Sequence, residues 1–206
     1  EVSKLFRPNK NWTPNIHPSA IIDKTAQVGE NVFIGAHVVI ESNARIGDNT
    51  YIGHNSIVGE NSIIGNNSTI RGNVSIYHDV NIGKDVHVDS GTVIGADGFG
   101  LVSENGNHHR VPHTGNVIIE NDVAIGANCC VDRGTIESTI VGEFSKLDNF
   151  IQVAHNVIIG KGCVIAGQVG LAGSCELGDF VTIGGQSGVV GHLKVEDKCI
   201  IATNTL

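Results

Sequence analysis

An aliphatic residue recurs at every sixth position along most of this chain, and few folds accommodate that period. The series Ile16, Ile22, Val28, Ile34, Ile40, Ile46, Ile52, Val58, Ile64, Ile70, Ile76, Ile82, Val88 and Ile94 has no gap. It resumes at Ile119, Ile125 and Val131, and again from Val141 through Leu147, Val153, Ile159, Ile165, Leu171, Leu177, Ile183, Val189 and Val195 to Ile201. On an α-helix a step of six residues advances about 600°, so these side chains would scatter over three stripes. On extended chain, where side chains alternate, every sixth residue faces the same way, as does the residue four further on.

That fourth position is small throughout: Ala20, Ala26, Val32, Val38, Ala44, Thr50, Ser56, Ser62 and Ser68 open its series. Gly often follows the aliphatic residue, as at Gly29, Gly47 and Gly65. Asn stands two places later at Asn31, Asn49 and Asn67, where it tolerates left-handed backbone better than most residues. Three six-residue sides close a triangular coil of eighteen. The 206 residues are 40% hydrophobic but only 4% aromatic, with 27 glycines, which suits an interior of small aliphatic side chains and a backbone of tight corners. The chain therefore reads as all-β, a left-handed parallel β-helix of hexapeptide repeats over residues 16–206, preceded by a linker segment over residues 1–15.

Charge and hydropathy narrow the function. A net charge of −8 leaves no basic surface on which a phosphate backbone could condense, which argues against nucleic acid. No apolar run approaches the roughly 18–20 residues of a transmembrane segment, and the start lacks a secretory signal, so a cytoplasmic location is expected. A chain that starts at Glu1, contains no Met and carries its repeat to Leu206 without a cap is expected to lack sequence at both ends. Cys129, Cys163, Cys175 and Cys199 all fall on the small inward position, where a thiol packs as a small hydrophobe. Cys130 falls outside it, and no C-x-x-C spacing suggests zinc or a redox pair.

Two insertions break the count, about nineteen residues between Ile94 and Ile119 and four between Val131 and Val141. Insertions in a solenoid project as loops from a corner. The longer one, roughly residues 97–116 with Gly98, Phe99, Gly100, His108, His109 and His113, exceeds what a connector needs and is expected to wall a binding site as an irregular loop. Positions eighteen apart stack at the strand spacing of about 4.8 Å, so His155 lies under Gly173 and Gly191, and Asn156 under Ser174 and His192. His17, His37, His54, His78 and His87 are outward surface residues. His155 differs because the Gly173 backbone N–H above it can serve as an oxyanion donor, and a histidine base beside such a donor suits acyl transfer. A purely structural histidine remains the alternative. A three-histidine zinc site between subunits, as in the β-helix proteins resembling carbonic anhydrases, lacks its close pair here, with His108 and His113 the only suitable spacing.

The segments Ile94-Gly95-Ala96-Asp97-Gly98-Phe99-Gly100, Cys130-Val131-Asp132-Arg133-Gly134 and Lys146 to Asn156, with Gly184-Gly185-Gln186 and Gly191-His192-Leu193, resemble the UDP-3-O-acylglucosamine N-acyltransferases of lipid A synthesis. The resemblance covers nearly the whole chain, and the DGFG and AHN segments are its specific part. It implies a homotrimer with active sites between subunits, a 3-hydroxyacyl thioester on acyl carrier protein as donor, and the 2-amino group of a UDP-linked, 3-O-acylated glucosamine as acceptor. By the same resemblance His155 is the general base, Asp148 the acid that orients it, Gly173 the oxyanion donor and His192 a second site histidine, with Gln152 and Asn156 binding substrate. Asp148 and His155 sit on different corners of a coil and are expected to meet across the trimer interface. No metal or redox cofactor is required. Members carry an N-terminal uridine-binding domain and a C-terminal helical extension, both expected to be missing from this chain. The competing readings are another hexapeptide O-acyl- or acetyltransferase and a non-enzymatic β-helix used as a binding surface.

Overall fold

The computed structural model describes residues 12–206, so the expected linker lies outside the described residues as far as Asn11. The period of six emerges as extended pairs, such as Phe33–Ile34, Val39–Ile40 and Arg45–Ile46, each ending on the inward aliphatic residue and followed by a turn. Strands one coil apart pair in parallel and in strict register, Ile34 with Ile52 and Ile70 with Val88. The result is three sheets of ten, nine and nine strands, the walls of a parallel β-helix. Within each sheet the edge N–H groups reach carbonyls of the next coil, as Gly35 N–H to Ile52 O at 2.9 Å.

The interior is the stack the sequence predicts. Ile34, Ile52, Ile70 and Val88 are fully buried, as are the small residues opposite them. Those small residues also link coils. The Ser56 hydroxyl donates to Arg71 O at 2.9 Å and accepts the Val74 N–H at 3.2 Å. Ser62 does the same between Tyr77 O and Val80 N–H. Each buried hydroxyl is thus satisfied on both sides, which removes the desolvation cost of placing it there. Cys163 copies the pattern by donating its thiol to Gly178 O at 3.2 Å, so the inward cysteines act as weak serines as well as packing groups. Burial pushes the thiols of Cys129, Cys163 and Cys175 up, Cys175 to about 11, which keeps them from ionising.

Corner residues adopt the left-handed conformation, as expected for Asn31, Asn49 and Asn67 at φ 53–60°. In the later coils the same hexad position is held by Phe144, Phe150, Gln168, Phe180 and Gln186, which the asparagine pattern did not anticipate. Coil closure imposes the conformation at a cost of about 1–2 kcal/mol per residue, and adjacent pairing outweighs it.

The long insertion is not irregular, which corrects the expectation. Leu101–Glu104 pairs antiparallel with Asn107–Arg110 around Asn105 and Gly106, at φ 50° and 79°. An Asn-Gly pair between short strands is the two-residue hairpin signal, present in the sequence and masked there by the break in the repeat. The arm leaves after Val93–Ala96 and returns at Val117–Ile119, and the four-residue insertion lies between Cys130–Asp132 and Thr139–Val141. Both insertions leave the second sheet and rejoin the third, so they stack at one corner in successive coils.

Adjacent Ile63 and Ile64 test the register, since the first is 38% exposed and the second 1%. Ile64→Ala is expected to cost about 2–5 kcal/mol of unfolding free energy. Ile63→Ala should cost under about 1 kcal/mol, both measured by chemical denaturation.

Candidate active site

The corner carrying the insertions is organised by one buried cation. Arg133 is 1% exposed, and its nearest carboxylate, Asp97, stands 3.9 Å away. The guanidinium is satisfied instead by carbonyls, donating to Gly95 O at 2.7 Å, Gly115 O at 3.3 Å and His78 O at 2.8 Å. Gly95 and Gly115 flank the arm, so one side chain ties its two roots together and to the preceding coil. Buried charge without such partners would cost several kcal/mol. The two insertions also bond to each other, Thr114 N–H to Thr135 O at 2.8 Å and Gly115 N–H to Gly134 O at 3.0 Å.

His155 lies at the same corner one coil further on, between Gln152–Val153 and Ile158–Ile159. Its Nδ1 is 3.1 Å from Asn156 Oδ1 and 3.5 Å from Thr135 Oγ1. Asn156 Oδ1 already accepts the Thr135 N–H at 2.9 Å, which fixes it as an acceptor. The network therefore assigns the proton of neutral His155 to Nδ1, donating to Asn156, and leaves the lone pair on Nε2. Nε2 faces Gly173: a Cβ added there would lie 2.7 Å from both Nε2 and Cε1. Only glycine allows the ring to approach this backbone so closely.

The Gly173 N–H has no acceptor among the described residues, and a comparison of coils explains why. At the matching position in several other coils the N–H is capped by a side chain of the next coil: Ala36 by His54 Nδ1 at 2.9 Å, Asp48 by Asn66 Oδ1 at 3.0 Å, Asp179 by Asp197 Oδ1 at 2.8 Å. Above Gly173 the next coil supplies Gly191, which has no side chain to offer. A backbone N–H without an acceptor and the imidazole Nε2 thus lie beside each other, the two groups that acyl transfer needs.

The remaining predicted site residues separate. Asn156 spends its amide on His155 and Thr135, and Gln152 donates to Asp132 Oδ2 at 2.9 Å, so both are engaged within the chain. His192 is exposed, two coils beyond Asn156 at the same left-handed corner. Asp148 lies against Gly167 and accepts from Asn149 Nδ2 at 2.9 Å, on a different corner from His155, as expected from spacing. Cys130 is half-buried on the outer face. A groove of about 330 Å³ opens beside the corner, lined by Gln152, Ala154, Gly170, Leu171, Ala172, Gly188, Val189, Val190 and Leu206. It begins at the neighbours of His155 and Gly173 and crosses three coils, roughly 14 Å at the strand spacing.

Sequence reasoning missed Asp132, the acid of the DRG segment. Burial pushes its carboxyl up to about 6, opposed by the Gln152 hydrogen bond and by His155 and His113 nearby. The folded chain holds this proton more tightly than the unfolded chain, so the group's contribution to stability falls as pH rises from about 4 to about 6. Asp132→Asn keeps an acceptor for Gln152 and removes the buried charge. Its melting temperature is expected to exceed that of the unsubstituted protein at pH 8, with the gain vanishing below about pH 4.

Models of hexapeptide repeats match this chain, described as the hexapeptide repeat of succinyl-transferase over residues 116–149 and the bacterial transferase hexapeptide (six repeats) over residues 138–173. The GMPPB C-terminal domain model matches residues 13–98. The UDP-3-O-acylglucosamine N-acyltransferase of Methylobacterium sp. (strain 4-46) is 44% identical over 108 residues, 52% of this chain and 31% of that protein. Its namesake from Campylobacter lari is 44% identical over 111 residues, 53% of this chain and 35% of that one. The matched stretch spans about a third of these relatives' length. Among solved structures, a UDP-N-acetylglucosamine acyltransferase from Campylobacter jejuni superposes with a TM-score of 0.64 at 24% identity, over 92% of this chain and 65% of that one, and so shares the fold. The UDP-N-acetylglucosamine O-acyltransferase from Moraxella catarrhalis gives 0.53 at 27% identity, over 91% and 65%. By its repeat and its fold the chain is a hexapeptide β-helix, and over about half of its length it is similar to the UDP-3-O-acylglucosamine N-acyltransferases.

Proposed function

We propose that this chain carries the catalytic β-helix of an N-acyltransferase that moves a 3-hydroxyacyl group from acyl carrier protein to the 2-amino group of UDP-3-O-(3-hydroxyacyl)-glucosamine. The observation that carries this reading is His155 Nε2 packed against the backbone of Gly173, whose N–H is uncapped, beside the apolar groove. Nε2 takes a proton from the attacking amine as its nitrogen bonds to the thioester carbonyl carbon. The Gly173 N–H holds the resulting oxyanion. The C–S bond then breaks, and the thiolate recovers a proton from the His155 imidazolium.

The groove supports a long acyl chain over an acetyl group, because Gly170 and Gly188 leave the outer sheet face bare where other coils carry side chains. Among the described residues His155 has no second wall beyond the arm, which supports a homotrimer in which Asp148 of a neighbouring copy approaches the base. Use of a carrier-protein thioester places the reaction in the cytoplasm. The competing O-acyltransferase reading differs in acceptor, and an assay offering amine and hydroxyl acceptors separates the two.

His155→Ala is expected to lower turnover by roughly 10²- to 10⁴-fold in a thiol-release assay with 3-hydroxyacyl carrier protein and the UDP-amino sugar, with the fold intact. Near-normal turnover would remove His155 from the mechanism. Gly191→Asn should place an amide oxygen over the Gly173 N–H, as other coils do, and lower turnover by about 10²- to 10³-fold without unfolding the chain. Light scattering should report a trimer at micromolar concentration, and a stable monomer would count against the shared site.

A further inference from the structure

His113 stands where the arm rejoins the β-helix and is only 7% exposed. Its Nδ1–H donates to Val111 O at 3.0 Å, so in the neutral ring Nε2 carries the lone pair. Nε2 is the buried side-chain nitrogen or oxygen that finds no hydrogen-bond partner among the described residues. The ring meets His155 edge-to-face, with centroids 5.4 Å apart and planes at 70°. Gly98 shapes the gap between them: a Cβ there would come within 3.0 Å of His113 Nε2, 3.0 Å of His155 Cδ2 and 2.9 Å of His155 Cβ. At Gly100 a Cβ would lie 2.8 Å from His113 Cε1. The two glycines of the DGFG segment therefore make room for a second imidazole against the first.

An unpaired buried imidazole nitrogen costs stability and is retained only where something is gained. With Nδ1–H tied to Val111 O, the imidazole dipole has its positive end at that carbonyl and its negative end, Nε2, toward the gap shared with His155. In a site of low polarizability such an uncompensated dipole favours positive charge nearby. His155 acquires that charge when it takes the proton. The other charged groups at this corner are Asp132 and Asp97, which reinforce the effect, and Arg133, which opposes it and is held against Asp97.

We propose that His113 is a positioning residue for His155, holding its ring edge-to-face and presenting an unshared Nε2 lone pair that stabilises the imidazolium formed during acyl transfer. This rests on the reading of His155 as general base.

His113→Phe tests it, because a phenyl ring keeps the edge-to-face contact but carries neither nitrogen. Turnover is expected to fall by about tenfold or more with little change in KM, since the lost interaction acts only once charge develops. The acidic limb of the kcat/KM profile should move to lower pH, because a base without this support binds its proton less tightly. The melting temperature should change little, because the unpaired buried nitrogen is replaced by carbon while the hydrogen bond to Val111 O is lost. A structural role alone would reverse this signature, with stability lost and the pH profile unmoved. Unchanged turnover in His113→Phe, or a limb displaced to higher pH, overturns the proposal. Full activity in His155→Ala would instead remove the base itself, so the two failures are distinguishable.

Discussion

Parallel pairing between residues one coil apart is the constraint on which everything else here depends. Two-residue strands such as Phe33–Ile34 would be worthless alone, but each is bonded on both sides by identical strands of the neighbouring coils. Register is then fixed by packing, because a slip of one residue would exchange Ile64 for Ile63 and turn the core stack outward. The same repetition makes the β-helix a ruler. A residue's neighbours are known once its place in the coil is known, and departures from the repeat become visible as chemistry.

Two departures build the candidate site, and a third completes it. The insertions stack at one corner, where the Arg133 guanidinium binds carbonyls on both sides of the arm and in the preceding coil. A lysine could not replace it, since a point cation lacks the planar fork that reaches Gly95, Gly115 and His78 together. The third departure is a missing side chain. Gly191 fails to cap the Gly173 N–H, and a donor that would elsewhere serve the coil is left free beside His155. What sets this donor apart is that His155 lies against it.

Electrostatics around His155 are divided among neutral and charged groups of the same chain. Asn156 and Thr135 fix the ring's tautomer through a backbone-anchored amide, and need no carboxylate to do so. Asp132 provides negative charge close by at a cost, since burial disfavours its ionised form and Gln152 only partly compensates. His113 adds an oriented dipole. Acid and amide come from successive turns of one corner, so their spacing is set by coil stacking, whereas the second imidazole is brought in by the returning arm.

By itself the sequence determined the repeat, the inward and outward faces, the two insertions and the stacking of His155 under Gly173, because a period of six with coils of eighteen leaves one consistent arrangement of side chains. The hairpin in the arm was legible too, in Asn105-Gly106 between short strands, but the break in the hexad concealed it. Only the tertiary structure showed that the two insertions form one unit, that Arg133 rather than a carboxylate holds it, and that Gln152 and Asn156 are spent on Asp132 and His155. His113 was placed by the sequence in the insertion expected to wall a site, but its contact with His155 could not be seen there. Its distance from His155 depends on how a nineteen-residue excursion folds back, and no periodicity reports on that path. Register propagates along the repeat, so local pattern suffices to predict it, whereas contacts across an insertion are decided by chain closure and packing in three dimensions.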